Sequence, residues 1–450
     1  GKTLEASDIM RLVRRGLMPP AAPGPGSRAE FARAQRILAG GVDSPVRAGE
    51  PMGCAGPLIA SASGSHVVDV DGRDYIDYLC AYGPVFLGHG HRGIAEAVAR
   101  AAAGGAVYGT THVAEIRLAE RIAGHMPSLQ RLRFTSTGTE ACMSALRLAR
   151  AHTRRSKVVR FAGNYHGHSD AMIFAAGASA NTPAHHLSGV TRGVSRDVVV
   201  VPYNDIAALN AAFVQHPEDI AAVIIEPIAA NMGLVLPLAG YLSELCALCR
   251  KFKALTIFDE VITGFRLGLG GAQGRLDVSA DLTCIGKVLG GGLPIAAFGG
   301  RADVMNSLAP RGPVFAGGTF SGNPVCVAAA NAFLDVLEGD PSIYARVEAI
   351  AQRLAQGMRK ALADAALPYP VVTIGSIVDF MFRAGQAHRD AAEAAAADGA
   401  AYARFYWAML AAGVLLAPSK MEVMFLTAAH SVSDVDRTVN AMAQGLQYSR

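Results

Sequence analysis

Two hydrophobic rhythms take turns along this chain. From residue 58 the run LIASASGSHVVDVDGRDYIDYL alternates over short stretches broken by Asp71-Gly72, the pattern of a β-hairpin. HRGIAEAVARAAAGG (91–105) then has helical periodicity. After it LRFTST, KVVRFAG, VVVVPY, IAAVIIEP and ALTIFDE read as strands, while GTEACMSALRLARAHT, DIAALNAAFVQH and YLSELCALCRKFK read as helices. Alternation at this spacing predicts an α/β fold whose mostly parallel sheet is covered by helices, with ligands at the strand carboxyl ends. Beyond about residue 335 the regular alternation stops. A long helical pattern at 341–367, strands at YPVVTIG and VDFMFRA, and an alanine-rich helix at 389–412 predict a smaller α+β domain. The expected organisation is a flexible Pro/Gly-rich leader over 1–27, the N-terminal part of the small domain over 28–60, a large domain over 61–335 and the C-terminal small domain over 336–450. No fixed-period repeat is visible.

Composition narrows the class. Of 450 residues 51% are apolar and 17% charged, enough for a large core. The net charge of +4 is scattered, giving nucleic-acid binding no support. Seven cysteines, an odd number, do not suggest a disulfide framework. With no apolar run long enough for a membrane span and no signal-peptide pattern, the expectation is a soluble protein of the reducing cytoplasm. Gly1 in place of methionine raises the expectation of a domain excised from a larger protein.

The chemistry gathers around glycine-rich stretches. CIGKVLGGGLP (284–294) sets Lys287 among apolar residues, where an ammonium must reach solvent, find a carboxylate, or be held neutral for chemistry. It does not match a nucleotide triphosphatase phosphate loop, since Asp281 and Val288 stand where Gly and Ser/Thr are needed. GLGGAQG (268–274) is a weak dinucleotide fingerprint. Cys246 and Cys249 fit a helix face better than a redox or zinc site, and His185-His186 falls in a loop; no metal site is expected. ALTIFDE instead ends an apolar strand on Asp259, and Lys287 follows 287 − 259 = 28 residues later, room for a crossover to the same sheet edge. TSTGTEA (135–141) is a strand, a small-residue turn and a helix start, where free amides and the hydroxyls of Thr137 and Thr139 suit a phosphate. GGTFSGNP (317–324) offers a second cradle, and Tyr165 after a strand offers an aromatic face. Together these fit pyridoxal 5′-phosphate: a lysine for its aldehyde, a carboxylate for its ring nitrogen, dipoles for its phosphate. The competing reading is that Lys287 merely pairs with Asp259 or Glu260.

These motifs, with GGVDSPVR (40–47), GNYHGHSD, IIEPIAANMG, IFDEVITGFR and GVLLAPSKMEVMFLTAAHS, run over nearly the whole chain after residue 30. The sequence resembles the class III pyridoxal-phosphate aminotransferases of fold type I, and within them the glutamate-1-semialdehyde 2,1-aminomutases. The resemblance implies that Lys287 forms a Schiff base with the cofactor and shuttles the proton, with Asp259 on the ring nitrogen and Tyr165 and Val261 on the two ring faces. It puts Thr137, Gly138 and Thr139 at the phosphate, joined by Thr319 from a second subunit of a homodimer, and adds His166, Glu226 and Asn231 to the cofactor contacts. Ser44, Arg47, Tyr82 and Glu422 would face the substrate, Arg47 suiting a carboxylate.

Departures fall around that substrate. Tyr82 replaces the tryptophan of the aminomutase pattern, Phe315 replaces a tyrosine, and the lid GASANTPAHHLSGV (177–190) is rewritten. They favour a transaminase exchanging an amino group between a donor and a small keto or aldehyde acceptor, with the aminomutase as the alternative. A non-catalytic binding module of the same fold is the reading from another class. Donor, acceptor and stereochemistry are not legible.

Overall fold

A computed structural model describes residues 23–53, 55–177 and 188–449. The start of the leader, most of the rewritten lid, and His185-His186 lie outside the described residues.

The hydrophobic runs become a seven-stranded sheet. Its strands are β4 (Arg131–Thr135), β5 (Lys157–Phe161), β6 (Val198–Val201), β7 (Ile220–Ile225), β8 (Leu255–Glu260), β9 (Leu282–Ile285) and β10 (Ala296–Gly300), in the order β4-β10-β9-β8-β7-β5-β6. All pairs are parallel except those that β10 makes with β4 and β9. Every residue of β7 and β8 is buried, as expected of strands covered on both faces. Each such aliphatic side chain contributes about 1.5–3 kcal/mol. β9 and β10 carry no signal as clear in the sequence: Leu-Thr-Cys-Ile is short, and Ala-Ala-Phe-Gly-Gly lacks the branched residues that mark strands. β8 and β9 are neighbours with Asp259 opposite Cys284, so the crossover between Asp259 and Lys287 returns to the adjacent strand.

The hairpin signal at Asp71-Gly72 joins two strands of a meander, β1 (Ile59–Ser63), β2 (His66–Asp69) and β3 (Asp74–Asp77). Its last member pairs in parallel with β13 (Val414–Leu415) far along the chain, Ile76 opposite Val414. β11 (Val371–Ile374), β12 (Ile377–Phe380) and β14 (Met424–Phe425) form a third sheet. The alanine-rich segment holds two helices, Ala391–Ala395 and Gly399–Ala411, each begun by an aspartate whose side chain accepts first-turn amides. The Pro/Gly-rich stretch does not stay loose to its end. Pro25 opens a helix to Ile37, and the Asp71 carboxylate accepts from the amides of Gly26 at 2.7 Å and Ser27 at 2.9 Å. No helix among the described residues is long and apolar enough to cross a membrane.

Candidate active site

Five strands deliver residues to one cavity of about 370 Å³ at the carboxyl edge of the large sheet. β4 leads into Ser136 to Thr139, β5 into Tyr165 to Gly167, β7 into Glu226, β8 into Asp259 and Val261, and β9 into Lys287. β10 runs the other way and brings in Leu293 to Ile295 ahead of its first residue.

At the floor, the buried Asp259 carboxylate accepts from His166 Nδ1 at 2.7 Å, from Cys142 Sγ at 3.4 Å and from the Val261 amide at 3.0 Å. Three donors fix its orientation. His166 is fully enclosed and its proton affinity is lowered by that burial, against the pull of Asp259. Its Nε2 has no partner among the described residues. Cys142, His166 and Asp259 bring three donor atoms within 4.8 Å, a grouping that suits a metal ion, but the Nδ1–Oδ2 hydrogen bond already joins two of them. Cys142 was not foreseen from the sequence. It belongs to the inward stripe of helix Gly138–Thr153 with Ala141, Ala145 and Ala149, and that spacing was the available signal.

Glu226 ties the walls together. Its carboxylate accepts from the amides of Tyr165 at 2.6 Å and Ala230 at 2.8 Å and from Asn231 Nδ2 at 2.8 Å. Burial, then the nearby charge of Asp259, pushes its carboxyl up to about 7. Tyr165 stays 45% exposed and lines the cavity, as does Val261. The turn after it depends on Gly167: at φ +82 a side chain there is strained, and its Cβ would lie 2.3 Å from Thr139 Oγ1.

Lys287 donates to the Tyr82 carbonyl, not to Asp259 or Glu260. Glu260 is used elsewhere, accepting from Thr263, Gln273 and the amide of Ala272. The ion-pair reading therefore gives way. Burial lowers the proton affinity of Lys287, while Glu422, Glu226 and Asp259 oppose that shift and Arg266 reinforces it. Burial also pushes the Glu422 carboxyl up to about 7, with Lys287 acting the other way.

At the far end, Thr137 caps the 16-residue helix Gly138–Thr153 by accepting from the Glu140 amide at 3.2 Å. The first-turn amides of Gly138 and Thr139 have no helical acceptor and border the cavity, a ready seat for an anion. Carboxylate floor, amine wall, aromatic side and anion seat fit pyridoxal phosphate.

The predicted substrate residues are not gathered there. Arg47 and Tyr82 line a neighbouring apolar cavity of about 590 Å³, and Ser44 borders neither. Burial raises the Tyr82 phenol, with Glu422 adding to the rise and Arg47 opposing it. Thr319 is exposed and outside both cavities, so the second phosphate cradle is not assembled within one chain.

The sequence model of the family described as Aminotransferase class-III matches residues 54–446. A glutamate-1-semialdehyde 2,1-aminomutase of Thermomicrobium roseum is 45% identical over 414 residues, 92% of this chain and 96% of that protein. Among solved structures, an omega-transaminase from Sphaerobacter thermophilus superposes with a TM-score of 0.87 at 32% identity, covering 98% of this chain and 99% of that one. A glutamate-1-semialdehyde-aminomutase variant from Pseudomonas aeruginosa PAO1, in complex with PMP, gives 0.88 at 27% identity with 100% of both chains covered. The chain therefore belongs to the class-III aminotransferases, enzymes of the fold type I architecture that work with pyridoxal 5′-phosphate.

Proposed function

We propose that this enzyme is a glutamate-1-semialdehyde 2,1-aminomutase, moving the amino group of its substrate from carbon 2 to carbon 1 to give 5-amino-4-oxopentanoate. The observation that carries this reading is its near full-length similarity to proteins of that name, 45% identity over 92% of the chain in one case. It reverses the order drawn from the departures at Tyr82, Phe315 and the lid.

In this reading Asp259 holds the ring nitrogen of the cofactor, Tyr165 and Val261 cover its faces, and Thr137, Gly138 and Thr139 hold its phosphate. When bound, pyridoxal phosphate supplies a cationic ring that draws electrons away from the carbon bearing the migrating nitrogen. His166 and the Val261 amide hold the Asp259 carboxylate in place for that ring. Lys287, its proton affinity lowered by burial, would serve as the base that shuttles the proton between the substrate carbon and the cofactor, with Tyr82 O as its resting acceptor. Arg47 holds the substrate carboxylate, Ser44 borders it, and Glu422 stands beside the nitrogen that moves, half-protonated near neutrality. Asn231 and Glu226 stiffen the wall behind Tyr165.

A homodimer in the cytoplasm completes the proposal. Phe315 at 74% exposure, Phe320 at 60% and Val113 at 81% support a covering copy, which would bring Thr319 to the phosphate of its neighbour's site. Among the described residues six cysteines are free and buried, in keeping with a reducing compartment.

A transaminase with a separate donor is the second reading, favoured by Tyr82 and Phe315 and by the higher identity, 32%, to the omega-transaminase structure. One experiment separates them. Holoenzyme given glutamate-1-semialdehyde labelled with ¹⁵N, and no other amine or keto compound, yields 5-amino-4-oxopentanoate that keeps the label. Product that forms only after an amino acid or keto acid is added would select the transaminase.

A further inference from the structure

Arg266 is a buried cation with no carboxylate partner among the described residues. It is 1% exposed, and its neighbours of opposite tendency among those residues are the Cys80 thiol and the Tyr344 phenol. Such a group is among the most costly to bury, so its position calls for a reason beyond packing. Nη2 donates to the carbonyls of Gly83 at 2.6 Å and Val85 at 2.7 Å. Nη1 donates to Leu426 O at 3.1 Å and Ser376 Oγ at 3.0 Å, and Nε has no partner among the described residues. The guanidinium lies 4.7 Å from the centre of the Phe425 ring.

The segment it grips is strained. Cys80, Ala81, Tyr82 and Gly83 have φ values of 47°, 54°, 65° and 116°, a left-handed run in which only the last residue is glycine. That run ends on the two groups that touch the lysine. Tyr82 O receives Lys287 Nζ, and Gly83 is so close that a Cβ there would lie 3.2 Å from Lys287 Cδ and 3.4 Å from Phe425 Cζ. Left to itself, a strained turn of this kind relaxes away from its contacts.

We propose that Arg266 is a positioning residue: by clamping the carbonyls of Gly83 and Val85 to that of Leu426, it holds the strained turn against Lys287 and so aims the amine into the cofactor cavity. The clamp joins the Tyr82 loop to the strand that follows Glu422, so one side chain sets both groups around the lysine. The proposal rests on Lys287 being the residue that bonds the cofactor. Arg266 also joins Glu422, Glu226 and Asp259 as the charged groups acting on that amine, and it is the one cation among them.

The test is the rate at which cofactor-free full-length protein captures added pyridoxal phosphate, followed by visible absorbance across pH, with borohydride fixation and peptide mapping to locate the bond. In this step the neutral amine adds to the aldehyde carbon and water leaves, so no amino substrate is needed. Arg266→Gln is expected to fold, by circular dichroism, and still to carry the label on Lys287. Its capture is expected to be about 100-fold slower. The half-maximal point of its pH profile is expected at higher pH, because losing a cation raises the proton affinity of the amine. Arg266→Lys restores the charge and is expected to return the pH profile and about tenfold of the rate. Gly83→Ala, with Arg266 intact, is expected to slow capture by displacing the lysine stem. Wild-type rate and pH profile in folded Arg266→Gln would overturn the proposal, as would a rate loss in Arg266→Gln and Arg266→Lys that only matches their loss of folded protein. Absence of the label from Lys287 in the wild type would sink the assignment of the lysine instead.

Discussion

The two halves of this site are built by different means. On the proposed cofactor side, Asp259, Lys287, Glu226, Tyr165 and Thr137 each stand at the carboxyl end of a strand in one sheet, and hydrogen bonds tie Asp259 to His166 and Glu226 to the Tyr165 amide. On the proposed substrate side, Ser44, Arg47, Tyr82, Thr319 and Glu422 come from segments scattered over the chain, and among the described residues no side-chain hydrogen bond joins them to one another. A sheet edge fixes chemistry that every member of the family needs, whereas loops leave the choice of substrate free to change without disturbing it.

Changes on the cofactor side should therefore stop the enzyme, and changes on the substrate side should retune it. Lys287→Ala has the largest expected effect: turnover falls by about 10⁴-fold while circular dichroism stays native, measured as product formed by purified protein reconstituted with cofactor. Asp259→Ala comes next, with a loss of about 10²–10³-fold and weaker cofactor retention on dialysis, since His166 is left without its acceptor. Arg47→Ala is expected to raise KM about 10–100-fold, with cofactor absorbance unchanged. If Arg47→Ala instead released the cofactor, the division into halves would be wrong.

The smallest effect concerns stability. Asp379 is buried, its carboxylate accepts from the Leu234 amide at 2.8 Å, and burial pushes it from 3.8 up to about 7. Between those values the folded protein holds a proton that the unfolded chain has released. This contribution is therefore present below about pH 4 and is lost as pH rises through about 7. Asp379→Asn is expected to flatten that decline by on the order of 2 kcal/mol, read from urea unfolding of cofactor-free protein at pH 5 and pH 7.5. An unchanged slope would mean that Asp379 is already ionised in the fold.

Much of the first half was legible because its signals are local. An apolar strand that ends in Asp259, or a strand, turn and helix start at TSTGTEA, announces both its element and its exposed end within ten residues. Cys142 and Arg266 were not legible. Cys142 matters because helix Gly138–Thr153 packs beneath β8, and Arg266 because two separate segments bring carbonyls to it and a third the Ser376 hydroxyl. Neither has a sequence neighbour that hints at its contacts. The second half was legible only through resemblance. Nothing near Arg47 or Glu422 in sequence marks either as facing a ligand, and Thr319 has no role inside one chain. The departures at Tyr82 and Phe315 weigh less than similarity over the whole chain.

The parallel pairing of β3 with β13 has a consequence for synthesis on the ribosome. Asp77 waits for Leu415, a lag of 415 − 77 = 338 residues, or roughly 17–70 s at ordinary translation speeds. Through that interval the nascent meander has one open edge beside Tyr75 and Ile76, side chains that end up buried. The emerging polypeptide thus needs shielding, from a chaperone or from its own later segments, long before there is a catalyst to protect.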